Sequence, residues 1–395
     1  MNKSLVPKIR FKGFNDEWKK YKLNDIGFFF RGLYKKTKAD FEINNSNFYY
    51  VTYTNIYNNS FIKIDSLKYV NINNNEKQNR LIKGDILFTM TSETYNEVGL
   101  CSIFNSDIDN VYLNSFCSGF RIINIKAINS IFLLFLLLSI QYREKIIKMA
   151  NGFTRYNLSK KLLLNLQVKI PNIIQQNKIA DFFTIIDRKI ELIKEQLSLL
   201  EKQKQYYLNN MFVNEKSYPK IRFKGFNDEW VLKQVQEVLT TIKSLKIKKN
   251  FESNTKLPLI SQKKDFIDSY IKKGNLVEQL PIILFGDHTT ILKYLDKYFF
   301  VADDGIKLLE LSNSFRNFKL KFIYYSVLLN NVSQSGYKRH FLMLKNVFIS
   351  LTNNINEQTK IAHFFTIIDR KIELIKEQLN LLEKQKQYYL NNMFI

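Results

Sequence analysis

A heptad pattern of hydrophobic residues occurs in the middle of the chain and again near residue 395. Within residues 176–212 the hydrophobic positions recur at alternating steps of three and four, and no Pro or Gly interrupts them. This spacing is typical of a long helix that packs along one seam against another helix. The same pattern returns in residues 358–395. We expect the seam to contain Ile186, Ile190, Ile193, Leu197, Leu200, Ile368, Ile372, Ile375, Leu379 and Leu382.

These helices belong to a duplicated sequence. Residues 7–18 (PKIRFKGFNDEW) recur unchanged at 219–230, and residues 176–212 recur at 358–394 with three differences in 37 positions. The differing pairs are Asn177/Thr359, Asp181/His363 and Ser198/Asn380. Neither helix can bury its seam alone, so we expect the two copies to pack against each other, antiparallel and about a pseudo-two-fold axis.

Two dissimilar segments, 19–175 and 231–357, lie between the repeats, and both have mixed α/β patterns. The first predicts strands at 48–54, 85–91 and 119–125 and a helix at 128–149. The second predicts strands at 280–285 and 298–302 and a helix at 319–330. We divide the chain into a globular domain at 1–175, a helix at 176–212, a second domain at 213–357 and a helix at 358–395. The predicted fold class is α/β (α+β), with two globular mixed α/β domains separated by two long antiparallel coiled-coil helices.

The composition is that of an ordinary globular protein, with 45% hydrophobic and 24% charged residues. The longest apolar run, Ile131–Ile140, is about half the length of a membrane span and predicts a buried helix. The two cysteines are too few for a disulfide scaffold, and residues 1–10 do not resemble a secretory signal. We therefore expect a cytoplasmic protein without a membrane partner.

The formal net charge of +24 favours a polyanionic partner. The excess lies in the unique segments, since 19–175 contains 21 basic and 11 acidic residues and 231–357 contains 19 and 11. The helical repeats are nearly neutral, with 6 basic and 5 acidic residues in 176–212. Two basic and dissimilar domains on near-identical helices predict binding to two different halves of a double-stranded DNA site.

The sequence contains no motif for metal-dependent or nucleotide-dependent catalysis, such as HExxH, a CxxC pair, a Walker phosphate loop or GxGxxG. Asp187-Arg188-Lys189 fits a nuclease fragment, but it lies inside the heptads, where such residues form surface pairs. Lys204 and Lys386 occupy seam positions, where a polar residue sets the helix register. We predict no catalytic residue and no metal site.

The duplicated order of these features resembles the specificity subunit of a type I DNA restriction–modification enzyme. The residues that carry the resemblance are PKIRFKGFNDEW in each half, VTYTNIYNN and LIKGDILFT in the first segment, ILFGDHTT and GYKRH in the second, and the two helical repeats. The resemblance implies a non-catalytic reader of a bipartite, asymmetric DNA target, with one target-recognition domain for each half. It also implies docking of two methyltransferase subunits and, in the full complex, two restriction subunits. S-adenosylmethionine, ATP and Mg²⁺ would be bound by those partners.

Two basic and aromatic loops, 151–157 and 335–340, each follow the last predicted long helix of their segment and suit contact with phosphates and base edges. The DNA-binding candidates are Tyr53, Asn55, Thr89, Arg155, Asn157, His288, Thr289, Tyr337, Lys338, Arg339 and His340. Tyr53 and Thr89 equally suit strand packing. An autonomous DNA-binding regulator or architectural protein, or an orphan anti-restriction reader that sequesters methyltransferase subunits, remains an alternative.

Overall fold

The chain folds into two compact units. The structure is a computed structural model that describes residues 6–73, 75–213, 218–242, 247–302, 305–336 and 338–395. Unit 1 contains the chain up to Lys194 together with Glu377–Ile395, and unit 2 contains Glu195–Lys376. Two long helices, α7 (Ile173–Met211) and α11 (Ile355–Asn392), each contribute one part to either unit.

Unit 1 is a mixed α/β unit. Its strands are β1 (Lys19–Lys22), β2 (Gly27–Arg31), β3 (Tyr49–Val51), β4 (Lys68–Tyr69), β5 (Asp85–Thr89), β6 (Thr91–Ser92), β7 (Cys101–Phe104), β8 (Val111–Leu113), β9 (Cys117–Ile122), β10 (Ala150–Asn151), β11 (Tyr156–Leu158) and β12 (Gln167–Ile170). Its shorter helices are α1 (Leu23–Ile26), α2 (Lys38–Phe41), α3 (Tyr53–Asn58), α4 (Ser130–Leu138), α5 (Ile140–Ile147) and α6 (Lys160–Leu164). The strands form four sheets, in the orders β2-β9-β5-β7, β4-β3-β8, β10-β11-β6 and β1-β12. The apolar run forms the buried helix α4, as predicted. Both cysteines are buried and unpaired by any disulfide.

Two element predictions in unit 1 are wrong. The expected strand at 48–54 ends at Val51, and α3 begins at Tyr53, because the Thr52 side chain accepts a hydrogen bond from the Asn55 backbone N–H and caps a helix. The expected helix at 128–149 is two helices. Ser139 adopts an extended backbone with ψ 151°, and its hydroxyl donates to the Leu136 carbonyl, which ends α4.

Unit 2 has a related arrangement of sheets. Its strands are β13 (Val231–Gln234), β14 (Leu239–Thr241), β15 (Ile247–Ile260), β16 (Ser269–Val277), β17 (Ile282–Gly286), β18 (Leu292–Leu295), β19 (Phe299–Val301), β20 (Ile306–Leu311) and β21 (Phe348–Leu351). Its shorter helices are α8 (Val235–Val238), α9 (Leu320–Leu329) and α10 (Phe341–Lys345). Two of its sheets correspond to sheets of unit 1. The four-stranded sheet β14-β20-β17-β18 corresponds to β2-β9-β5-β7, and the pair β13-β21 corresponds to β1-β12. The two units differ most in the chain between β14 and β17, where unit 2 has the long strand pair β15 and β16. The sequence pattern did not predict this pair.

The long helices pair in antiparallel fashion within each unit, as predicted. In unit 1, Lys386 lies 2.5 Å from Asp187 and Lys194 lies 2.7 Å from Glu383. In unit 2, Lys204 lies 2.6 Å from Asp369 and Lys376 lies 2.8 Å from Glu201. These are the same repeat positions with the two copies exchanged, so Lys204 and Lys386 fix the register through ion pairs. Among the seam residues, the structure buries Ile186, Ile190, Ile193, Ile368, Ile372 and Leu382 and half-buries Leu197, Leu200, Ile375 and Leu379.

An aromatic cluster joins the repeats to each α/β domain. In unit 1, the Trp18 ring lies 5.7 Å from Phe132 and 6.3 Å from Phe394, and Phe394 stacks on Phe183 at 5.6 Å. In unit 2 the equivalent rings repeat this arrangement: Trp230 lies 5.6 Å from Phe322 and 5.8 Å from Phe212, which lies 6.1 Å from Phe365. Each cluster therefore takes one phenylalanine from α7 or its end and one from α11 or its end. Neither unit can complete its core with a single repeat.

Unit 2 pairs a set of buried polar atoms that unit 1 leaves unpaired. Arg222 of the second short repeat forms two hydrogen bonds, of 2.7 and 3.0 Å, with the buried Glu357 carboxylate. The equivalent residues of unit 1 are Arg10 and Gln175. Within the described residues, Arg10 Nε and Gln175 Oε1 are buried without a hydrogen-bond partner. A buried polar atom without a partner lowers the free energy of unfolding by about 1–3 kcal/mol. The neutral Gln175 therefore weakens the contact between the short repeat and α7.

We predict that Gln175→Glu raises the free energy of unfolding, because the new carboxylate gives Arg10 the partner that Arg222 already has. The reciprocal change Glu357→Gln should lower the free energy by about 1–3 kcal/mol, since it leaves the Arg222 charge partly buried and uncompensated. Hydrogen–deuterium exchange of residues 173–180 and 355–362 measures the local stability at Gln175 and at Glu357. Equal exchange in parent and variant at both sites would contradict the assignment.

Candidate nucleic-acid interface

In unit 1, several predicted site residues meet around the short strand β6. Strand β11 pairs with β6 so that Asn157 lies opposite Thr91, and the Tyr53 hydroxyl donates to the Thr91 carbonyl at 2.9 Å. Arg155, 61% exposed, lies 3.6 Å from the exposed Glu93 carboxylate beside the same strand. The structure therefore brings Tyr53, Arg155 and Asn157 together on one surface, although they come from distant parts of the segment.

The tip of the β10–β11 hairpin carries an aromatic residue that sequence reasoning did not rank. Phe153 is 98% exposed, and the preceding Gly152 has a φ of +124°, a backbone conformation that favours glycine. The Phe153 ring is therefore accessible to a partner on the same hairpin as Arg155. The signal in the sequence was the order Gly-Phe-Thr-Arg within the loop already singled out.

Two other predicted residues of unit 1 have side chains that point into the domain. Asn55 is buried, and its carboxamide bonds both backbone groups of Lys63, with Nδ2 donating to the carbonyl at 2.9 Å and Oδ1 accepting from the N–H at 3.0 Å. Thr89 is fully buried, and its hydroxyl donates to the Leu100 carbonyl at 3.2 Å. Both side chains fix the backbone of loops close to the surface. Any contact with a partner would come from neighbouring residues instead.

A half-buried cation fixes the loop that follows β6. The Arg143 guanidinium on α5 donates to the carbonyls of Gly99 at 2.6 Å, Val98 at 2.9 Å and Asn96 at 3.0 Å. Burial lowers the pKa of Arg143, an energetic cost that these three hydrogen bonds offset. The loop is consequently held at a defined position beside the hairpin.

In unit 2, His340 holds the second basic loop from within. It is fully buried, and its Nε2 accepts a hydrogen bond from the Ser335 backbone N–H at 3.1 Å. Its Nδ1 therefore carries the proton and donates to the Asp287 carbonyl, also at 3.1 Å. The Asp287 carboxylate in turn accepts the backbone N–H groups of His340 and Phe341 at 2.8 and 2.7 Å. The imidazole thus closes the loop 335–340 and is inaccessible to a partner in this conformation.

The basic residues of this loop face solvent. Lys338 and Arg339 are exposed, whereas Tyr337 lies outside the described residues. His288 and Thr289 are half-buried on the adjoining turn, where the His288 N–H donates to Gln262 Oε1 at 3.1 Å and the Thr289 hydroxyl donates to the Gln262 carbonyl at 2.7 Å. The structure therefore brings His288, Thr289 and the ends of the 335–340 loop together through Asp287.

A buried lysine positions the neighbouring turn. Lys293 on β18 is 3% exposed, and its ammonium donates to the carbonyls of Ser261 at 2.9 Å, Asp265 at 2.6 Å and Phe266 at 3.3 Å. Burial lowers its pKa, and the nearby Asp268 and Asp265 oppose that shift. These bonds fix the turn that exposes Lys263 and Lys264. Sequence reasoning missed Lys293, since nothing in its spacing distinguishes it from a surface lysine.

The described ranges contain no group of three or more His, Cys, Asp or Glu side chains arranged to hold a metal ion. Nor is any helix in these ranges long and apolar enough to cross a membrane.

Comparisons with known proteins agree with this architecture. Residues 15–202 match the family described as the type I restriction modification DNA specificity domain. The type I restriction enzyme MjaVIII specificity subunit of Methanocaldococcus jannaschii is 24% identical over 297 residues, which cover 65% of this chain and 68% of that protein. The EcoR124I/EcoR124II specificity subunit of Escherichia coli is 24% identical over 194 residues, 46% of this chain and 48% of that protein.

Solved structures share the fold. The S subunit of a type I restriction–modification system from M. genitalium superposes with a TM-score of 0.64 at 14% identity and covers 99% of both chains. A chain from a structural study of complex assembly and conformational transition in a type I R-M system has a TM-score of 0.50 at 16% identity. It covers 94% of this chain and 96% of that one. The predicted fold class and the family resemblance are thus confirmed.

We predict that His340→Ala loosens the 335–340 loop, because the Ser335 N–H loses its acceptor and the Asp287 carbonyl keeps only the backbone N–H of residue 340. Limited trypsin digestion should then cut after Lys338 or Arg339 several-fold faster than in the parent. His363→Ala, at an exposed position on α11, is the matched control and should leave the cleavage rate unchanged. Identical rates in parent and His340→Ala would show that the imidazole does not hold the loop.

Proposed function

We propose that the chain is the sequence-specific DNA-binding subunit of a type I restriction–modification complex, because residues 15–202 match the DNA specificity domain of that family and two specificity subunits are similar in sequence. Each α/β domain would read one half of a bipartite, asymmetric target. The observation that carries the proposal is that two dissimilar domains are each built onto the same helical repeat. One shared scaffold with two different readers suits a target whose halves differ in sequence.

The exposed residues of the two loops are the candidates for base contact. Arg155 and Asn157 in unit 1 and Arg339 in unit 2 have side chains of the kind that bind guanine or adenine edges through two hydrogen bonds. Phe153 would insert or stack at the same half-site as Arg155, as apolar side chains do when they enter a base step. Asn55, Thr89 and His340 would act through the loops that they hold.

Exposed apolar residues on the helices support docking of two copies of one partner. Four pairs of equivalent repeat positions are exposed in both copies: Ile185 and Ile367, Leu192 and Leu374, Leu199 and Leu381, and Tyr206 and Tyr388, all between 44% and 68% exposed. They recur every seven residues, which makes one apolar stripe along each helix opposite to its buried seam. We assign this stripe to two methyltransferase subunits, through which two restriction subunits would join the complex.

In this proposal the chain has no catalytic activity of its own. Methyl transfer and DNA cleavage would take place on the partner subunits, and these would bind S-adenosylmethionine, ATP and Mg²⁺. The role of the present chain is to choose the DNA site at which the partners act.

Methylome sequencing after co-expression with the cognate methyltransferase tests the proposal. We expect an asymmetric, two-part methylated motif with a fixed gap. Arg155→Ala should relax one half of the motif, and Arg339→Ala should relax the other, each by about 1–3 kcal/mol of base discrimination. The matched variants Arg155→Lys and Arg339→Lys retain the charge but lose the planar fork, so they separate base reading from phosphate binding.

A stable complex that methylates no motif would contradict the proposed reading function. A uniform loss of methylation at both halves in Arg155→Ala would instead identify that residue as a phosphate contact.

A double change of Leu199→Glu with Leu381→Glu should release the methyltransferase, because both apolar stripes then carry a charge that docking would bury. The amount of methyltransferase that co-purifies with the tagged chain is the measurement. Ser198→Glu with Asn380→Glu is the matched control, since these exposed repeat positions adjoin the leucines and receive the same charge. Full retention of the methyltransferase by the leucine variant would place the docking surface elsewhere.

A further inference from the structure

Strands β15 and β16 of unit 2 form a two-stranded ribbon, residues 247–277, with an unusual distribution of burial. None of residues 247–259 and 262–275 is buried. A strand pair of this length ordinarily buries one face, because an isolated hairpin has little stability in water. The ribbon closes on β19, and its exposed residues are available to a partner.

The ribbon is fixed at both ends to the same strand. Leu259 and Ile260 of β15 pair with Phe300 and Val301 of β19, and residues 275–277 of β16 pair with β19 from its other side. Ile260, Leu276 and Val277 are buried at these anchor points, and a Cβ at Gly274 would come within 3.1 Å of the Phe300 ring. Pairing with β19 at both ends therefore fixes the position of the exposed middle of the ribbon.

Two irregularities interrupt the regular pairing of the ribbon. The register between β15 and β16 shifts between Lys248 and Phe251 and again between Glu252 and Leu257. Asn250, in the first irregularity, has a φ of +51°. The second inserts the polar sequence Ser-Asn-Thr-Lys at 253–256. Such bulges increase the local bend and twist of a strand pair.

Lysine is the dominant charge on this ribbon. Residues 247–277 contain seven lysines, no arginine and three acidic residues. All seven lysines are exposed: Lys248, Lys249, Lys256, Lys263, Lys264, Lys272 and Lys273. In the part of the chain that the structure describes, only Lys248 among them has a carboxylate within 4 Å, Glu278 at 2.8 Å. Six positive charges are accordingly left without an intramolecular counter-ion among the described residues.

The ribbon adjoins the candidate recognition loops of unit 2. Gln262, in the turn of the ribbon, accepts hydrogen bonds from the His288 backbone N–H and the Thr289 hydroxyl. Lys293 donates to the Ser261 carbonyl of the same turn. A DNA duplex that contacts the loop 335–340 and the turn at His288 would therefore pass close to the lysines of the turn.

From these observations we propose that the ribbon 247–277 binds the phosphate backbone of duplex DNA beside the half-site read by unit 2, without reading its sequence. The inference rests on the proposed function and extends it to an element outside the recognition loops. The absence of arginine from the ribbon sequence favours backbone over bases, because lysine offers a compact point charge for phosphate whereas arginine offers the planar fork suited to two hydrogen bonds with one base. Backbone contacts of this kind set affinity and position, and the loops would set specificity.

The test uses the full chain purified with its methyltransferase. Lys249, Lys256, Lys272 and Lys273 are replaced together by Gln, and affinity is measured by fluorescence anisotropy on a cognate and a non-cognate duplex over a range of salt concentrations. Each phosphate contact contributes about 0.9 to the slope of log K against log salt, so we expect the slope to fall by about 3–4. At low salt, affinity for both duplexes should fall by the same factor, at least about 10-fold, with the methylated motif unchanged.

Two controls keep the result interpretable. The same four lysines replaced by Arg should retain the parental slope. The second control replaces four lysines exposed on the two long helices by Gln: Lys189, Lys202, Lys371 and Lys384. This variant loses the same charge from another surface, and it should also retain the parental slope.

A parental slope in the ribbon Gln variant, or an equal fall in the helix variant, would overturn the inference while the proposed function stands. A changed methylated motif in the ribbon Gln variant would also overturn it, because the ribbon would then read bases. A parent complex that binds neither duplex would contradict the proposed function itself.

Discussion

The structure depends on aromatic clusters to which both helical repeats contribute, so that each hydrophobic core contains a phenylalanine from either repeat. Each core needs a tryptophan from its own short repeat, a phenylalanine near the beginning of one long helix and a phenylalanine from the end of the other. Burial of such rings is the largest favourable contribution to folding that these contacts offer. The ion pairs of Lys386 with Asp187 and of Lys204 with Asp369 then fix which turn of one helix faces which turn of the other. Because both cores use the same repeat positions, the unique segments are free to differ wherever they do not touch the helices.

The parts of the fold that follow from periodicity were predictable from the sequence. The heptads gave the two long helices, their antiparallel pairing and the residues of their seam, and the apolar run gave α4. The errors came where a single polar side chain overrides a pattern, as when Thr52 caps α3 and Ser139 ends α4. The ribbon escaped prediction for a different reason. None of residues 247–259 is fully buried, and their sequence lacks the regular hydrophobic alternation by which a strand is normally recognised.

The candidate site was predictable in its loops but not in its individual side chains. Composition identified 151–157 and 335–340, yet it could not distinguish residues that face a partner from residues that hold the loop. Asn55, Thr89 and His340 have polar side chains suited to base contact, but backbone groups within the domain already occupy them. Arg143 and Lys293 show the same principle with full charges, since each satisfies three carbonyls of one turn. Tertiary contacts decide these roles, and the sequence does not contain them in any local form.

The aromatic clusters also have a spectroscopic consequence. The chain has two tryptophans, one in each cluster, and each indole Nε1 lies buried without a hydrogen-bond partner in the described part of the chain. An indole in such apolar surroundings emits at shorter wavelength than one in water. Trp18 is therefore an intrinsic fluorophore for unit 1 and Trp230 for unit 2. Replacing either by Phe leaves a chain whose emission reports on a single unit, so the order in which the two halves unfold is open to direct observation without an added label.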